Sequence, residues 1–305
     1  MTKFKDVMGN YPFTPDKKLP MLLRQSDYLH YIYPPDNART SDNNFLFVST
    51  DTMLVGIYEL GPGASFEPID IHPGDESYFI LRGPVVQKCS LGQYVQLQEN
   101  EALFMPERVW HQGNNFTDHK ARILYFIAPK AWGDDIPPKV FPTPDDTKSY
   151  KGRKNDQIAS VAGRPNINRM PTTDDLGHWP VDGPASREFP QNIYRIREDD
   201  KLITLSGTQQ PTLMKFSVST DRQHLGEIIL PAGGTGPRCS DIDSHKGDAV
   251  LYCAEGPITV NLPDELEAFT MDPGDAFFVP AGTKYQLCNF DGHPIRAIFC
   301  IAPGL

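Results

Sequence analysis

The sequence predicts an all-β protein in which two tandem barrels are joined by a long, proline-rich connector. Short apolar runs rich in Val, Ile, Phe and Tyr end at Gly, Pro, Asn or Asp, as strands joined by turns do. Long apolar stripes with the 3.6-residue period of a helix are hard to find. In addition, one sequence pattern occurs twice along the chain, which indicates two copies of a single domain.

The repeat consists of ordered matches whose offset grows only from 170 residues to 174, so insertions between the two copies are small. Chance is a poor explanation for so many matches in the same order. The matched segments are Val48–Asp51 with Val218–Asp221, His72–Asp75 with His245–Asp248, Gly83-Pro84 with Gly256-Pro257, Pro106 with Pro280, Asn115 with Asn289, and Arg122–Pro129 with Arg296–Pro303. Each copy is therefore predicted to form one antiparallel barrel.

The pattern divides the chain into four regions, which are an N-terminal arm at 1–40, a first barrel at 41–130, a connector at 131–190 and a second barrel at 191–305. The arm contains a candidate strand at Tyr28–Tyr33 and is expected to pack on the other domain or on a second subunit. The connector carries many prolines and charges, which predicts an extended segment on the surface. Strands of the first barrel are expected at Met53–Leu60, Ser77–Leu81, Ala102–Met105 and Arg122–Ile127.

Composition excludes several classes of partner. The net charge of -10 argues against nucleic acid and anionic membranes, because both attract clustered Lys and Arg. No run approaches the ~20 apolar residues of a membrane span, and no apolar segment follows the N-terminus. The five cysteines form no CxxC pair, and their odd number does not suggest a disulfide framework. We therefore expect a protein of the reducing cytoplasm that acts on a small molecule.

The first copy contains residues that can bind a metal. His72, Glu76 and His111 offer two imidazoles and one carboxylate from neighbouring strands. Such a set can hold a divalent transition metal while coordination positions stay open. Asp70 lies two residues before His72 and shares its face of the strand, so it can be a fourth ligand, can orient an imidazole, or can be a catalytic base.

These residues resemble the first motif of the cupin superfamily, and the doubled arrangement is similar to a bicupin. That motif has Gly, five residues, His-x-His, three or four residues, Glu, six residues and Gly. The chain matches it at His72, Glu76 and Gly83, while Asp70 stands in place of the first histidine and Gly63 is slightly out of register.

The second cupin motif is also present in the first copy. It has the form Pro-x-Gly-x-x-His-x-x-x-Asn, and the chain matches it at Pro106, His111 and Asn115, with Arg108 in place of the glycine. The whole resemblance covers about residues 45–130 and 215–305.

The resemblance implies a jelly-roll, or double-stranded β-helix, barrel in each half and one divalent metal per chain. With the first histidine missing, the remaining ligands are similar to the iron site of bicupin ring-cleaving dioxygenases. We therefore expect a non-heme Fe(II) dioxygenase that uses O2 on a small aromatic or hydroxy-acid substrate. Mn, Zn and Ni are alternative metals, and the resemblance also implies a homodimer.

Three residues near the ligands are predicted to be catalytic. They are Asp70, Arg108 and Tyr78. Arg108 can pair with an anionic group of the substrate, or it can be an exposed arginine at the rim. Further candidates for stacking or hydrogen bonding are Gln87, Trp110 and Gln112.

Two other functions stay open. A metal-dependent isomerase, epimerase or lyase for a sugar-acid-like substrate would use Zn, Mn or Ni as a Lewis acid, with Glu76 or Asp70 moving a proton. A non-catalytic bicupin that binds a small molecule is the other alternative.

The second copy is predicted to be structural. His245 is retained there, but Ala249 replaces the glutamate and Tyr285 replaces the second histidine, which removes two ligands. The histidines without a partner pattern are predicted to lie at the surface; they are His30, His119, His224 and His293.

Overall fold

The computed structural model describes residues 7–33, 42–66, 70–89, 93–129, 172–188, 192–208 and 210–305. In these ranges the protein has strands β1–β21 and one short α-helix, α1, which confirms the all-β prediction. The five strands expected from the sequence are present, with ends that differ by no more than two residues. The predicted connector lies largely outside the described ranges, where its extended form stays a prediction. Its described part, 172–188, contains a 3-10 helix, Thr173–Asp175, and the α-helix, Gly183–Glu188, so the prediction of an extended segment is wrong there.

The strands of the first half are β1 Met21–Leu23, β2 Leu29–Tyr33, β3 Asp42–Ser49, β4 Leu54–Leu60, β5 Asp75–Arg82, β6 Val85–Cys89, β7 Gln93–Leu97, β8 Ala102–Met105, β9 His111–Asn114 and β10 Ala121–Ala128. The second half contains α1 Gly183–Glu188, β11 Tyr194–Ile196, β12 Leu202–Ser206, β13 Thr212–Ser219, β14 His224–Leu230, β15 Arg238–Cys239, β16 Asp248–Glu255, β17 Ile258–Leu262, β18 Glu267–Met271, β19 Ala276–Val279, β20 Gln286–Asn289 and β21 Ile295–Ala302.

Each barrel is built from one large and one small sheet. The first combines a seven-stranded sheet, β11-β8-β5-β10-β4-β3-β2, with a three-stranded sheet, β7-β6-β9. The second combines β1-β19-β16-β21-β14-β13-β12 with β15-β20-β17-β18. The two large sheets have the same order once each strand is replaced by its repeat partner, so the sequence repeat extends to the topology.

The two halves exchange an edge strand. β1 belongs to the N-terminal arm but pairs with β19 of the second barrel, with Met21 opposite Phe278. β11 follows the connector but pairs with β8 of the first barrel, with Tyr194 opposite Phe104. Of the two places expected for the arm, the structure therefore shows contact with the other barrel.

The central strands of both large sheets are buried on both faces. Along β10, Ile123, Tyr125 and Ile127 enter the interior of the first barrel. The alternate residues Leu124 and Phe126 join a second core, which also contains residues of the second barrel. Since strand residues alternate between faces, a single strand serves both cores, and the barrels pack on each other through a continuous apolar layer.

A half-buried arginine links the barrels at one edge of this layer. Arg187, in α1, donates hydrogen bonds to Asp75 Oδ2 at 2.6 Å and to Asp221. The backbone N–H of Glu107 donates to Asp75 Oδ1 at 2.9 Å. Asp75 is thus held by one barrel and by a cation that also binds the other.

A second bridge occupies the repeat-equivalent place. Lys18 Nζ lies 2.6 Å from Asp248 Oδ2 and 2.6 Å from Asp51 Oδ1. Thr52 also donates to Asp248. The aspartates that end the repeated Val-Ser-Thr-Asp and His-x-Gly-Asp segments therefore hold the two barrels together, which explains their presence in both copies.

In the described ranges, no helix combines the length and the apolar character needed to cross a bilayer. All five cysteines are free thiols, and four of them are buried.

The buried position of His224 contradicts its predicted place at the surface. Only 6% of His224 is exposed, and Ser219 Oγ lies 2.9 Å from its Nδ1. Burial, with a smaller contribution from His245, lowers the pKa of His224 to about 4. The imidazole is therefore neutral in the folded protein at neutral pH.

Replacing Arg187 with Leu is expected to lower the free energy of unfolding by about 3 kcal/mol, because a fully buried carboxylate at Asp75 loses its closest cation. Chemical denaturation measures this change. The control is Arg197→Leu, whose pair with Asp200 is largely exposed on the arginine side and is expected to contribute about 0–1 kcal/mol. Equal losses of unfolding free energy in the two variants would contradict the role of Arg187 as a stabilising bridge between the barrels.

His224 is expected to make stability depend on pH between about 6.5 and about 4. Below pH 6.5 the unfolded chain binds a proton that the folded chain does not, so about 1.4 kcal/mol is lost per pH unit until the folded residue is itself protonated near pH 4. Above pH 6.5 the residue contributes nothing. Denaturation at about pH 7 and about pH 5 should show a smaller difference for His224→Gln than for the unmodified protein, and an unchanged difference would refute this role.

Candidate metal centre

The predicted ligands come from two adjoining stretches of the first barrel. His72 lies in the turn before β5, Glu76 is the second residue of β5, and His111 is the first residue of β9. The backbones of Asp70 and His111 pair in both directions, since the N–H of each donates to the carbonyl of the other at 3.0 Å. This bridge fixes the stretch with Asp70 and His72 against the strand that carries His111.

The three side chains converge on one point inside the barrel. Glu76 Oε2 lies 2.7 Å from His111 Nε2 and 3.5 Å from His72 Nε2. One ligand atom from each residue lies within 4.8 Å of the other two, and all three residues are buried. In the described part of the chain, this is the one group of three or more His, Cys, Asp or Glu residues with such a spacing.

The charges in this group stabilise each other. Burial raises the pKa of Glu76, but the neighbouring imidazoles of His111 and His72 outweigh burial, so its net pKa is lowered. For His111, burial lowers the pKa, while Glu76 raises it more, so the net shift is upward. The carboxylate is thus held ionised in an interior place where a lone charge would be costly.

These residues fit a divalent transition metal. His111 Nδ1 lies 3.0 Å from the carbonyl oxygen of Val109, so when the imidazole is neutral its proton stays on Nδ1 and the lone pair of Nε2 is available to a metal. Ligand atoms that share one ion lie on the order of 3 Å apart, close to the separations here. Two imidazoles and a carboxylate are a common donor set for iron, with positions open for substrate.

Tyr78 supports the glutamate from within the barrel. It is the next inward residue of β5 and donates a side-chain hydrogen bond to Glu76, which contributes to the low pKa of that carboxyl. Burial raises the pKa of Tyr78 well above its usual value, so the phenol stays protonated. Its ring lies edge-on to His111, with the centroids 6.1 Å apart.

Asp70 and Arg108, the other two predicted catalytic residues, are not buried in the barrel as Tyr78 is. Asp70 is half-buried, and its Oδ2 lies 3.9 Å from His72 Nε2, at the edge of the ligand group. Arg108 is exposed on the loop before β9, and its N–H donates to the carbonyl of His72 at 2.9 Å. It is therefore the backbone of Arg108, rather than a buried side chain, that contacts the site.

Arg108 also has an unusual backbone. Its φ is 65°, in the left-handed region that favours glycine, and Gly282 at the equivalent place of the second barrel has a φ of 78°. Gly282 N–H donates to the carbonyl of His245, so the same turn forms in both copies. The turn therefore favours the glycine of the second cupin motif, and Arg108 forms the same turn at a conformational cost.

Sequence reasoning missed part of the interior wall. Tyr58 and Phe66 lie edge-on, with centroids 5.7 Å apart, and Phe66 also contacts the ring of His111 at 6.0 Å. Their spacing carries no motif, and only the fold brings them to the ligands. The nearly continuous apolar run of β4 shows no period-two pattern, so the sequence does not indicate which way Tyr58 points.

The other pocket candidates have different environments. Gln87 is fully buried and opposite Gly113, and no described residue hydrogen bonds to either atom of its amide. The amide of Gln112 donates to the carbonyl of Phe66, and Trp110 is buried. Gln87 is therefore the candidate with hydrogen-bonding capacity left for a ligand.

The second barrel has the same geometry with different chemistry. The rings of His245 and Tyr285 are 5.5 Å apart at 49°, and those of His72 and His111 are 5.5 Å apart at 46°. Tyr285 OH lies 2.6 Å from His245 Nε2, so a phenol hydroxyl satisfies the imidazole. Ala249 occupies the glutamate position.

No protein-family model and no curated protein matches the sequence. Solved structures do share the fold. Oxalate decarboxylase of Bacillus subtilis is 14% identical, with a TM-score of 0.58, over 92% of this chain and 76% of that chain. The Ylba protein of E. coli is 11% identical, with a TM-score of 0.58, over 93% and 90% of the two chains. AerE of Microcystis aeruginosa is 9% identical, with a TM-score of 0.56, over 90% and 97%.

Restoring the two missing ligands is expected to create a second metal site. The double variant Ala249→Glu with Tyr285→His should bind one more divalent ion per chain than the unmodified protein, because His245 already has the required position. Elemental analysis after loading with Co(II) measures the ratio. Tyr285→His alone, with two of three ligands, is the control and should add no tightly bound ion. Unchanged metal content in a folded double variant would contradict the view that the two barrels place their ligand positions in the same geometry.

Proposed function

We propose that this chain, which has the two-barrel fold of the bicupins, binds one divalent transition metal in its first barrel and is a non-heme Fe(II) dioxygenase. The observation that carries the proposal is the buried group of His72, Glu76 and His111, whose ligand atoms lie within 4.8 Å of one another. A buried carboxylate beside two imidazoles is costly to maintain for stability alone, so a bound cation explains the group better than packing does.

The donor set favours iron among the metals considered. One carboxylate with two imidazoles suits Fe(II) and leaves coordination positions for substrate and O2, and the metal would supply electron transfer between them. A ring-cleaving dioxygenase adds both atoms of one O2 to its substrate as the ring opens, so the substrate would provide all the electrons and no separate reductant would be needed.

The protein's own residues would orient the ligands and exclude water. The backbone carbonyl of Val109 holds the ring of His111, and the phenol of Tyr78 holds Glu76. Such supporting contacts set the direction of each ligand's lone pair. Asp70, which is half-buried at the edge of the group, is positioned to accept a proton from a substrate hydroxyl.

The interior wall supports a small aromatic substrate. Tyr58, Phe66 and Tyr78 present ring faces and edges around His111, and aromatic rings pack well in such arrangements. The amide of Gln87 can both donate and accept a hydrogen bond, which matches a phenolic or carboxylic group. A substrate of this kind would satisfy a buried amide that the described residues leave without a hydrogen bond.

A redox-neutral reaction is the second candidate. Asp70 lies 3.9 Å from His72 Nε2, which puts a second carboxylate beside the ligand group. The fold is also similar to that of oxalate decarboxylase, for which Mn(II) centres are described. A metal-dependent lyase, decarboxylase or isomerase for a hydroxy or sugar acid would use Asp70 to move a proton and would need no net oxidation.

The deciding experiment combines metal analysis with oxygen consumption. Protein purified without chelator is analysed for metals, then reconstituted anaerobically with Fe(II) and given aromatic diols and hydroxy acids while O2 uptake is recorded. Uptake that depends on both iron and substrate supports the dioxygenase. Turnover under argon with Mn, Zn or Ni supports the redox-neutral reaction. If no divalent metal binds with micromolar or tighter affinity, both are refuted and a non-catalytic bicupin remains.

Variants of the site should separate ligands from supporting residues. His111→Ala is expected to abolish metal retention, and Tyr78→Phe is expected to weaken metal affinity by about 10-fold, because the carboxylate of Glu76 loses its hydrogen bond. His119→Ala, at a half-buried histidine that lies outside the ligand group and contacts the carbonyl of Gly83, is the control and should bind metal normally. Competition with a chromogenic chelator measures all three affinities. Full metal affinity in His111→Ala would rule out this site.

A further inference from the structure

A cleft of about 380 Å³ lies between the barrels, far from the candidate metal ligands. Glu76 is near the start of β5 and Arg82 is its last residue, so the two are about 20 Å apart along the strand. The cleft is lined by charged side chains of both barrels and by Tyr252 at the interface. The proposed function uses none of these residues.

The lining has an excess of positive charge. The cations are Arg82, Lys120, Arg122 and Arg296, and the one acidic lining residue is Glu59. Lys120 Nζ lies 2.9 Å from Glu59 Oε2, while the nearest approach of Arg122 to that carboxylate is 3.8 Å, beyond hydrogen-bond length. Glu59, which is also the cross-strand partner of Arg122 on β4, therefore forms ion pairs with both Lys120 and Arg122. Its single charge cannot neutralise the three cations of the first barrel, so this side of the cleft keeps an excess of positive charge.

Two of these arginines are direct cross-strand neighbours. Arg122 of β10 is paired with Arg82 of β5 in the sheet register. Like charges placed opposite each other on neighbouring strands destabilise a sheet. An arrangement of this kind is therefore more easily understood when an anion lies between the two guanidinium groups.

The second barrel provides an internal comparison. The repeat partner of Arg122 is Arg296, and Glu255 occupies the place opposite it. There the two side chains form an ion pair, with Arg296 Nη2 at 2.9 Å from Glu255 Oε1. The same pair of positions is therefore neutral in one copy and doubly positive in the other, although both copies share the fold.

The guanidinium groups also retain unused donors. The Nε atoms of Arg122 and Arg296 are buried, and neither has a hydrogen-bond partner among the described residues. Both arginines line the cleft from opposite barrels. A buried donor without a partner is costly, and a ligand oxygen in the cleft would relieve this cost.

We propose that this inter-barrel cleft is a binding site for a small dianion, with Arg82 and Arg122 as its principal contacts. Guanidinium forks match the oxygens of phosphate and carboxylate groups, which share this recognition chemistry. The volume of the cleft suits a small metabolite rather than a macromolecule. The ligand would contact both barrels. It would therefore bind the folded protein and not the unfolded chain.

Thermal unfolding with inorganic phosphate or succinate tests the proposal, with sodium chloride at equal ionic strength as the reference for screening. A saturable rise in Tm with either dianion beyond the chloride effect is expected, because a ligand that binds only the folded state stabilises it. A response to phosphate alone identifies a phosphate ligand, and a response to succinate alone identifies a dicarboxylate. No response to either overturns the proposal.

Arg82→Glu is the decisive variant, because it recreates in the first barrel the pair formed by Arg296 and Glu255. It is expected to raise Tm without ligand and to weaken dianion binding at least 10-fold. Lys284→Glu, an equal charge change at an exposed pair in the second barrel, should leave the response intact. His111→Ala should also keep it, so the result is independent of the metal site. A full dianion response in Arg82→Glu overturns the proposal.

Discussion

The burial of both faces of the central strands is the constraint on which the rest of the structure depends. In β10 the inward residues fill the first barrel, and the outward residues Leu124 and Phe126 form a core shared with the second barrel. A shift of register by one residue would move every side chain of such a strand into the opposite core, where it does not fit the existing packing. The neighbouring β5, which carries Glu76 and Tyr78, is also packed on both faces. The carboxylate of the candidate site is therefore attached to a strand whose position is fixed.

This rigidity explains how the two copies keep one geometry and differ in chemistry. Ring positions at His72 and His111 are reproduced almost unchanged by His245 and Tyr285. Where the carboxylate is gone, a phenol hydroxyl satisfies the remaining imidazole, so the second barrel has no need of a cation. The backbone therefore determines where side chains meet, and a few substitutions decide what they do there.

Much of this organisation could be predicted from the sequence, because repeats and ligand spacings are local patterns. The barrels, five strands and the convergence of His72, Glu76 and His111 follow from such patterns. The exchanged strands could not be predicted, since β1 and β11 have only three residues each and their partners lie far away along the chain. The burial of His224 and the wall formed by Tyr58 and Phe66 also depend on tertiary packing, which no motif records.

The exchange of β1 and β11 sets a limit on how the chain can be divided. A cut in the connector would separate β8 from its edge partner β11, and it would leave β1 attached to a barrel that it does not complete. Each fragment would present an unpaired sheet edge, the kind of surface that promotes aggregation. Swapping one half with that of another two-barrel protein would therefore also require a compatible edge strand, so the smallest transferable unit is the whole chain.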